Sequence, residues 1–384
     1  MDKLFFTDEH IMIRDMVREF ADTEITPVAR DLDEQGEFPT ALVNKMGELG
    51  LMGILIPEEY GGSGLDMVAF ATAIIELARA DASVAITMAA HTSLGSLPIL
   101  MFGSDEQKNT YLPKLATGEM LGAFGLTEPD AGSDAGATKT KAVRDGDEYV
   151  VNGGKIFITN AGKAGVLSFT SQVIENGKNL GIAAFSISTN TPGLEIGPKE
   201  KKMGWRASDT RQLFFKDMRI QATSMLGTPA NGFKTFMKTL TSGRVSIGAL
   251  SIGTALGAYE RALAYSTERI AFGKPINNFQ SVGFKLADMA TKIEASKLLV
   301  FHAAWMKDQG LDITKEAAMA KLFASETAME VTTEAIQIHG GYGYVKEYDV
   351  ERFFRDAKIL EIGEGTSEIQ RLIISREILK GIQI

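Results

Sequence analysis

Apolar positions in the first third of the chain recur at helical spacing, with polar residues marking where segments begin and end. Thr7 precedes a stretch that runs to Phe20, and Thr40 precedes one that stops at Gly50. The pattern predicts two threonine-capped helices, the second closed by a C′ glycine. Tyr60-Gly61-Gly62-Ser63-Gly64 breaks the chain ahead of an alanine-rich helix over 67–80, and shorter helical stretches follow over 84–90 and 105–115. From about Leu121 to Met225 the period shortens. Runs at 148–151, 155–159, 166–173, 182–188 and 212–215 read as strands. Asp145-Gly146 and Asn152-Gly153-Gly154 are hairpin signals, and Pro192-Gly193 and Gly204 mark turns. Turns this close predict a compact antiparallel barrel or sandwich, because parallel neighbours need helical crossovers. After Ala230-Asn231-Gly232 the helical period returns. Val282, Leu286, Met289, Ile293 and Val300 form one stripe, and Gly248, Ala249, Gly253, Ala255, Gly257 and Ala258 permit close helix contact on another segment. The expected fold is mainly α with a β middle domain: a helical domain over 1–121, a β-domain over 122–229 and a helical bundle over 230–384.

Composition narrows the chemistry. A chain of 384 residues is too long for one simple core, in keeping with two or three domains. The net charge of −9 argues against nucleic-acid binding, which depends on basic clusters. With no cysteine there is no disulfide framework, thiolate nucleophile or cysteine-ligated metal, which fits a reducing compartment. His10, His91, His302 and His339 are dispersed, with no His-x-x-x-His pair, so they read as structural and no metal is expected. Met1 to Thr7 lacks the basic and long apolar regions of a signal peptide. The longest uncharged run, 84–103, contains Thr87, His91, Thr92, Ser93, Ser96 and Pro98 and reads as a buried helix and loop rather than a membrane span. A cytoplasmic protein without membrane insertion is the expectation.

The common nucleotide and hydrolase signatures are missing: no P-loop, no Gly-x-Gly-x-x-Gly between strand and helix, no Gly-x-Ser-x-Gly. The most informative stretch is instead 359–371, which sets Glu364 between Gly363 and Gly365 just ahead of a helix start at Thr366 or Ser367. A carboxylate without bulk on either side suits a base that reaches across a crevice, although an exposed turn has the same local pattern. Four small-polar segments accompany it. Gly122 to Asp134 runs from a strand into a Gly/Ser/Asp loop, and Lys155 to Asn160 alternates so that Phe157 and Thr159 share a face. Gln337 to Tyr344 ends a helix in glycines, and Glu268 to Pro275 offers Arg269, whose fork suits a pyrophosphate. Each also has an ordinary structural reading.

Taken in order, PEEYGG (57–62), GLTEPDAGSD, KIFITNA, ERIAFGKP, QIHGGYGY and RDAKILEIGEGTSEIQR resemble the acyl-CoA dehydrogenases over nearly the whole chain. The resemblance implies an α-helical domain, a middle β-domain, a C-terminal four-helix bundle and a homotetramer. It implies FAD as cofactor, Glu364 as base for the α-proton of an acyl-CoA thioester, and hydride transfer from Cβ to the flavin N5. Phe124, Leu126, Thr127 and Ser133 would line FAD, Ser133 also lying near the pantetheine arm, and Phe157, Ile158 and Thr159 would cover the flavin. Arg269, Phe272 and Gln280, with Gln337 to Gly341 (Gly340 and Gly341 included), would reach the FAD of a neighbouring subunit. Thr366 and Glu368 follow the base on the FAD side. Arg244 matches an arginine near the CoA site, Gly363 and Gly365 flank the reacting carbons, and electrons would leave through an electron-transfer flavoprotein.

Three positions refine this. Where many members carry Tyr just before the base, this chain has Gly363, which would widen the acyl cavity toward branched or alicyclic groups. Some members place the base just before the arginine at 244; Gly243 stands there. Thr241 replaces a common carboxylate three residues before Arg244, leaving that substrate contact open. The expected activity is dehydrogenation of a short-, branched- or alicyclic-chain acyl-CoA in fatty acid or organic acid degradation. The alternatives are the same fold working as an enoyl-CoA reductase or acyl-CoA oxidase, or as a non-catalytic binding protein.

Overall fold

The computed structural model describes residues 2–228 and 232–380. Ala230 and Asn231, where the chain was expected to change texture, lie outside the described residues, and Gly232 begins a helix. Thr7 caps Asp8–Phe20 in a reciprocal box, its hydroxyl accepting from His10 N while the imidazole accepts from Thr7 N. Thr40 is not a cap. It is the first residue of Thr40–Glu48, and Pro39 occupies the cap position without a side-chain bond. Gly50 does close this segment, at φ +74°.

All but the last residue of the uncharged run lies in a 21-residue helical passage, Ala82–Phe102, most of which is buried within the fold. His91, inside it, joins two domains. Its Nδ1 accepts from Gly122 N at 3.1 Å, so Nε2 carries the proton and donates to Leu115 O at 3.0 Å. Burial pulls the imidazole down to about 4, which keeps it neutral.

Helices from the two ends of the chain share one core. Val17, Phe70, Ile74, Leu250, Ile293, Val331 and Phe353 belong to the same buried cluster. Meeting it are Met67–Ala80, Gly232–Glu268, Gln280–Asp308 and Thr314–His339, with Ser367–Leu379 packed on the last of these. Contact between the first two is backbone-close. A Cβ at Gly253 would stand 2.4 Å from Ile75 O, and one at Gly257 2.4 Å from Arg79 O.

The middle of the chain is an eight-stranded sheet: β1 (Leu121–Gly125), β2 (Lys141–Asp145), β3 (Glu148–Thr159), β4 (Ala164–Glu175), β5 (Lys178–Ser188), β6 (Leu194–Lys199), β7 (Thr210–Gln221) and β8 (Met225–Leu226). Its order is β6-β7-β3-β2-β4-β5-β8, with β1 on β4. Most neighbours are antiparallel, but β1–β4 and β2–β4 are parallel without a helical crossover. The twelve-residue β3 is the crossover from β2 to β4, long enough to return the chain in the same direction. Asn152-Gly153-Gly154 is correspondingly not a turn. It is a bulge inside β3, where Gly153 takes φ +142° and a Cβ would meet Thr140 Oγ1 at 2.6 Å.

A buried ion pair closes the 126–140 loop. Glu128 accepts from Lys155 Nζ at 2.7 Å, from Lys139 N at 2.6 Å and from the Thr138 hydroxyl. Lys155 also donates to Leu126 O at 3.2 Å. Burial alone would raise the Glu128 carboxyl, but the Lys155 charge and these donors outweigh it and hold Glu128 at about 2. The stability this carboxylate contributes is complete above the ordinary carboxyl range and lost as pH falls through about 2. Lys155→Met leaves Glu128 buried and unpaired, and urea unfolding should show a loss of about 3–5 kcal/mol. Adding Glu128→Gln should recover part of it.

Candidate active site

Glu364 sits in the turn between Ile359–Glu361 and Ser367–Leu379. Two left-handed residues in succession, Glu364 at φ +53° and Gly365 at φ +97°, swing the chain into the helix. Such backbone costs on the order of 1–3 kcal/mol at a non-glycine residue, so it persists only when neighbours hold it. Thr366 caps the helix through Oγ1, accepting from Ile369 N at 3.3 Å. Gln370 Nε2 donates back to Glu364 O at 3.3 Å and Gly365 O at 2.8 Å, and Lys321 Nζ donates to Gly365 O at 2.8 Å.

The carboxylate points at the helix Gly232–Glu268. A Cβ on Gly243 would fall 2.0 Å from Glu364 Oε2, so the missing side chain at 243 is the space the carboxylate uses. Oε2 is buried without a hydrogen-bond partner. Burial pushes the Glu364 carboxyl up to about 7, with the charges of Arg244 and Lys321 opposing. Arg244 is buried beside it, its Nη1 reaching Thr241 Oγ1 at 3.4 Å and its Nε without a partner. Thr241 thus faces Arg244, and its own hydroxyl donates to Met237 O at 3.0 Å. Gly363 is open: an added Cβ would meet only Ile359 O, at 3.4 Å.

On the β-domain, Ile156 N donates to Thr127 O at 2.9 Å, which lays Leu126 and Thr127 beside the end of β3. Phe157 stands there at φ +61° within a bulge, its ring 63% exposed. The ring is thus held out of the core on left-handed backbone, a conformation that a non-glycine residue adopts only at a cost. Thr159 is half-buried, while the side chain of Ile158 lies in the core, leaving only its backbone for a ligand. The Phe124 ring is likewise taken up, stacked on Phe236 at 4.1 Å. Ser133 is exposed in its loop.

A third group forms a surface cleft of about 490 Å³ lined by Arg269, His339, Gly340, Gly341 and Tyr342, with the Arg269 guanidinium over the Tyr342 ring. Phe272, Gln280 and Gln337 do not line it. All three are exposed, Phe272 to 96%. Thr366 is half-buried and Glu368 exposed on the helix after the base.

Glu128 and Gln370 lie inside the 122–134 and 359–371 segments without being marked there as site residues, and Lys321 lies in no motif. For Lys321 the signal was periodic: it interrupts the buried stripe Ala317, Ala320, Ala324, Ala328 and is itself fully buried.

Descriptions of the acyl-CoA dehydrogenase N-terminal, middle and C-terminal domains match residues 7–119, 123–218 and 230–379. The chain is 54% identical over 376 residues to the probable acyl-CoA dehydrogenase YngJ of Bacillus subtilis, covering 97% of this chain and 99% of that protein. It is 47% identical over 377 residues to the acryloyl-CoA reductase (NADH) of Anaerotignum propionicum, covering 97% and 95%. The solved butyryl-CoA dehydrogenase of Megasphaera elsdenii superposes with a TM-score of 0.94 at 43% identity, covering 97% of this chain and 98% of that one.

Gly243→Ala should expel the carboxylate from its present position, because atoms closer than about 3.5 Å repel. A crystal structure of the variant would show Glu364 re-aimed; an unmoved carboxylate would contradict the contact.

Proposed function

The chain belongs to the acyl-CoA dehydrogenase family, and from that membership we propose that it oxidises a short-, branched- or alicyclic-chain acyl-CoA to the enoyl-CoA, with Glu364 as the α-proton base. The carrying observation is the buried, unpartnered Glu364 Oε2 resting against Gly243. A carboxylate with an unengaged lone pair and a raised pKa is poised to take a proton from a weak carbon acid.

FAD is the cofactor of this family, and the residues present fit it. The exposed Phe157 ring and the Leu126–Thr127 backbone offer a flat face with polar edges. The cleft of Arg269, Gly340 and Gly341 offers a cation and open backbone to a diphosphate. In a tetramer that cleft, with Phe272, Gln280 and Gln337, would serve the FAD of a neighbouring subunit. When bound, FAD accepts the hydride from Cβ.

The chain's own residues do the rest. Glu364 removes the α-proton. Its backbone N–H, which takes no partner among the described residues, is free to donate to the thioester oxygen and stabilise the developing enolate. Arg244 and Thr241 lie on the same side and meet the CoA thioester. Gly363 leaves room beside the reacting carbons for a branched acyl group. Electrons then pass to an electron-transfer flavoprotein.

A second reading is reduction of an enoyl-CoA, favoured by the likeness to the acryloyl-CoA reductase. Here the same carboxyl would donate its proton. The two directions have opposite pH signs. Oxidation needs ionised Glu364, so kcat/KM should fall as pH drops below about 7, whereas reduction should weaken above it. An anaerobic titration with butyryl- and isobutyryl-CoA should bleach the flavin absorbance. Glu364→Gln should keep FAD yet slow bleaching by about 10²–10⁴-fold. A colourless protein, or normal bleaching by the variant, would refute the assignment.

A further inference from the structure

We propose that Lys321 is a positioning residue for Glu364: its ammonium ties down the Gly365 carbonyl, holding the left-handed turn that aims the base, and its charge favours the ionised carboxylate. This rests on Glu364 acting as the proton base.

Lys321 projects from Thr314–His339, is fully buried, and donates from Nζ to Gly365 O at 2.8 Å. Burying an ammonium is costly, and a carbonyl does not require one. Gln370 Nε2 already donates to the same oxygen at 2.8 Å. Gln370 shows that a neutral donor serves this carbonyl, so a neutral side chain at 321 would supply the second bond equally well, and the positive charge needs a separate reason.

The surrounding charges supply it. Glu361, on the turn before the base, pairs with Lys358 at 2.5 Å, and Glu326, one turn along the same helix, pairs with Arg371 of Ser367–Leu379 at 2.5 Å. On Gln280–Asp308, Lys285 and Lys292 pair with Glu334 and Glu330. Arg244 faces the site from Gly232–Glu268 and makes no ion pair among the described residues. Among the carboxylates around Lys321, Glu364 and the exposed Glu368 have no ion-pair partner among the described residues, and it is Glu364 that turns a buried oxygen inward, next to the carbonyl that Lys321 grips. Lys321 and Arg244 both act on Glu364 through space, lowering its proton affinity against the larger effect of burial. Burial likewise pulls Lys321 down to about 8, so the ammonium persists through the range in which Glu364 ionises.

The direction of the effect follows. Removing the cation raises the Glu364 pKa, and the acid limb of kcat/KM moves to higher pH. The decisive variants are Lys321→Met, which removes donor and charge, and Lys321→Gln, which removes only the charge. The Glu364 carboxyl is followed in the FAD-bound protein by pH-difference infrared spectroscopy, its band identified by loss in Glu364→Gln. Both lysine variants should move the midpoint up by about one unit, with kcat/KM falling about fivefold at neutrality and about tenfold on the acid limb. At high pH, Lys321→Gln should recover a larger maximum rate than Lys321→Met, because it still holds the turn. If Lys321→Met fails to fold, Lys321→Gln alone decides the charge effect. An unmoved midpoint in the folded variants overturns the proposal. A wild-type protein whose flavin no acyl-CoA bleaches would instead refute the function on which the proposal stands.

Discussion

A carboxylate oxygen taken out of water and given no hydrogen-bond partner is the constraint around which this molecule is arranged. Left alone, Glu364 would turn toward solvent or protonate permanently. The fold prevents the first by a left-handed turn at 364–365 gripped from two sides by Lys321 and Gln370. It moderates the second with two buried cations, Arg244 and Lys321, that make no ion pair with the carboxylate. The balance leaves the carboxyl pushed up to about 7, where both protonation states are accessible at physiological pH.

The turn depends in its place on bracing from every domain. Val350–Lys358 delivers the chain to it, and buried charges hold that helix. Arg352 donates to Asp81 at 2.7 Å and Arg355 to Asp33 at 2.7 Å, both from the N-terminal helices. Asp356 accepts from Trp205 N of the β-domain at 2.6 Å, and burial pushes its carboxyl up to about 7. On the far side, the close approach of Met67–Ala80 to Gly232–Glu268 fixes the helix that carries Gly243 and Arg244. The geometry of this one turn is thus a property of three domains packed together.

Much of this was legible from residue pattern, for identifiable reasons. The 3.6-residue stripe from Val282 to Val300 and the cap at Thr7 are local signals, and both correspond to observed elements. Glu364 between glycines is local too, whereas Gly243 was legible only as a position without a carboxylate, and the room it leaves for Glu364 shows in the fold alone. What failed was local pattern with more than one physical solution. Glycines at 153–154 can turn a chain or bulge a strand, and cross-strand packing against Thr140 selected the bulge. The exposed Phe157 and the core-facing Ile158 share one strand, but only the tertiary structure shows which offers its side chain. Buried charges were the least visible: Lys321 meets the Gly365 carbonyl across 44 positions, Lys155 meets Glu128 across 27, and Arg352 meets Asp81 across 271. In sequence each is an ordinary polar residue, and only burial reveals its role.

Exchange of the substrate α-hydrogen reports on the base directly, independent of the electron acceptor. The protein is incubated anaerobically in D2O with an excess of an acyl-CoA that it binds, and the α-carbon is followed by NMR. Wild type should incorporate deuterium at the α-position, and Glu364→Gln, still carrying FAD, should incorporate none above background. Undiminished exchange in the variant would mean that another group takes the proton, contradicting the central role given to Glu364.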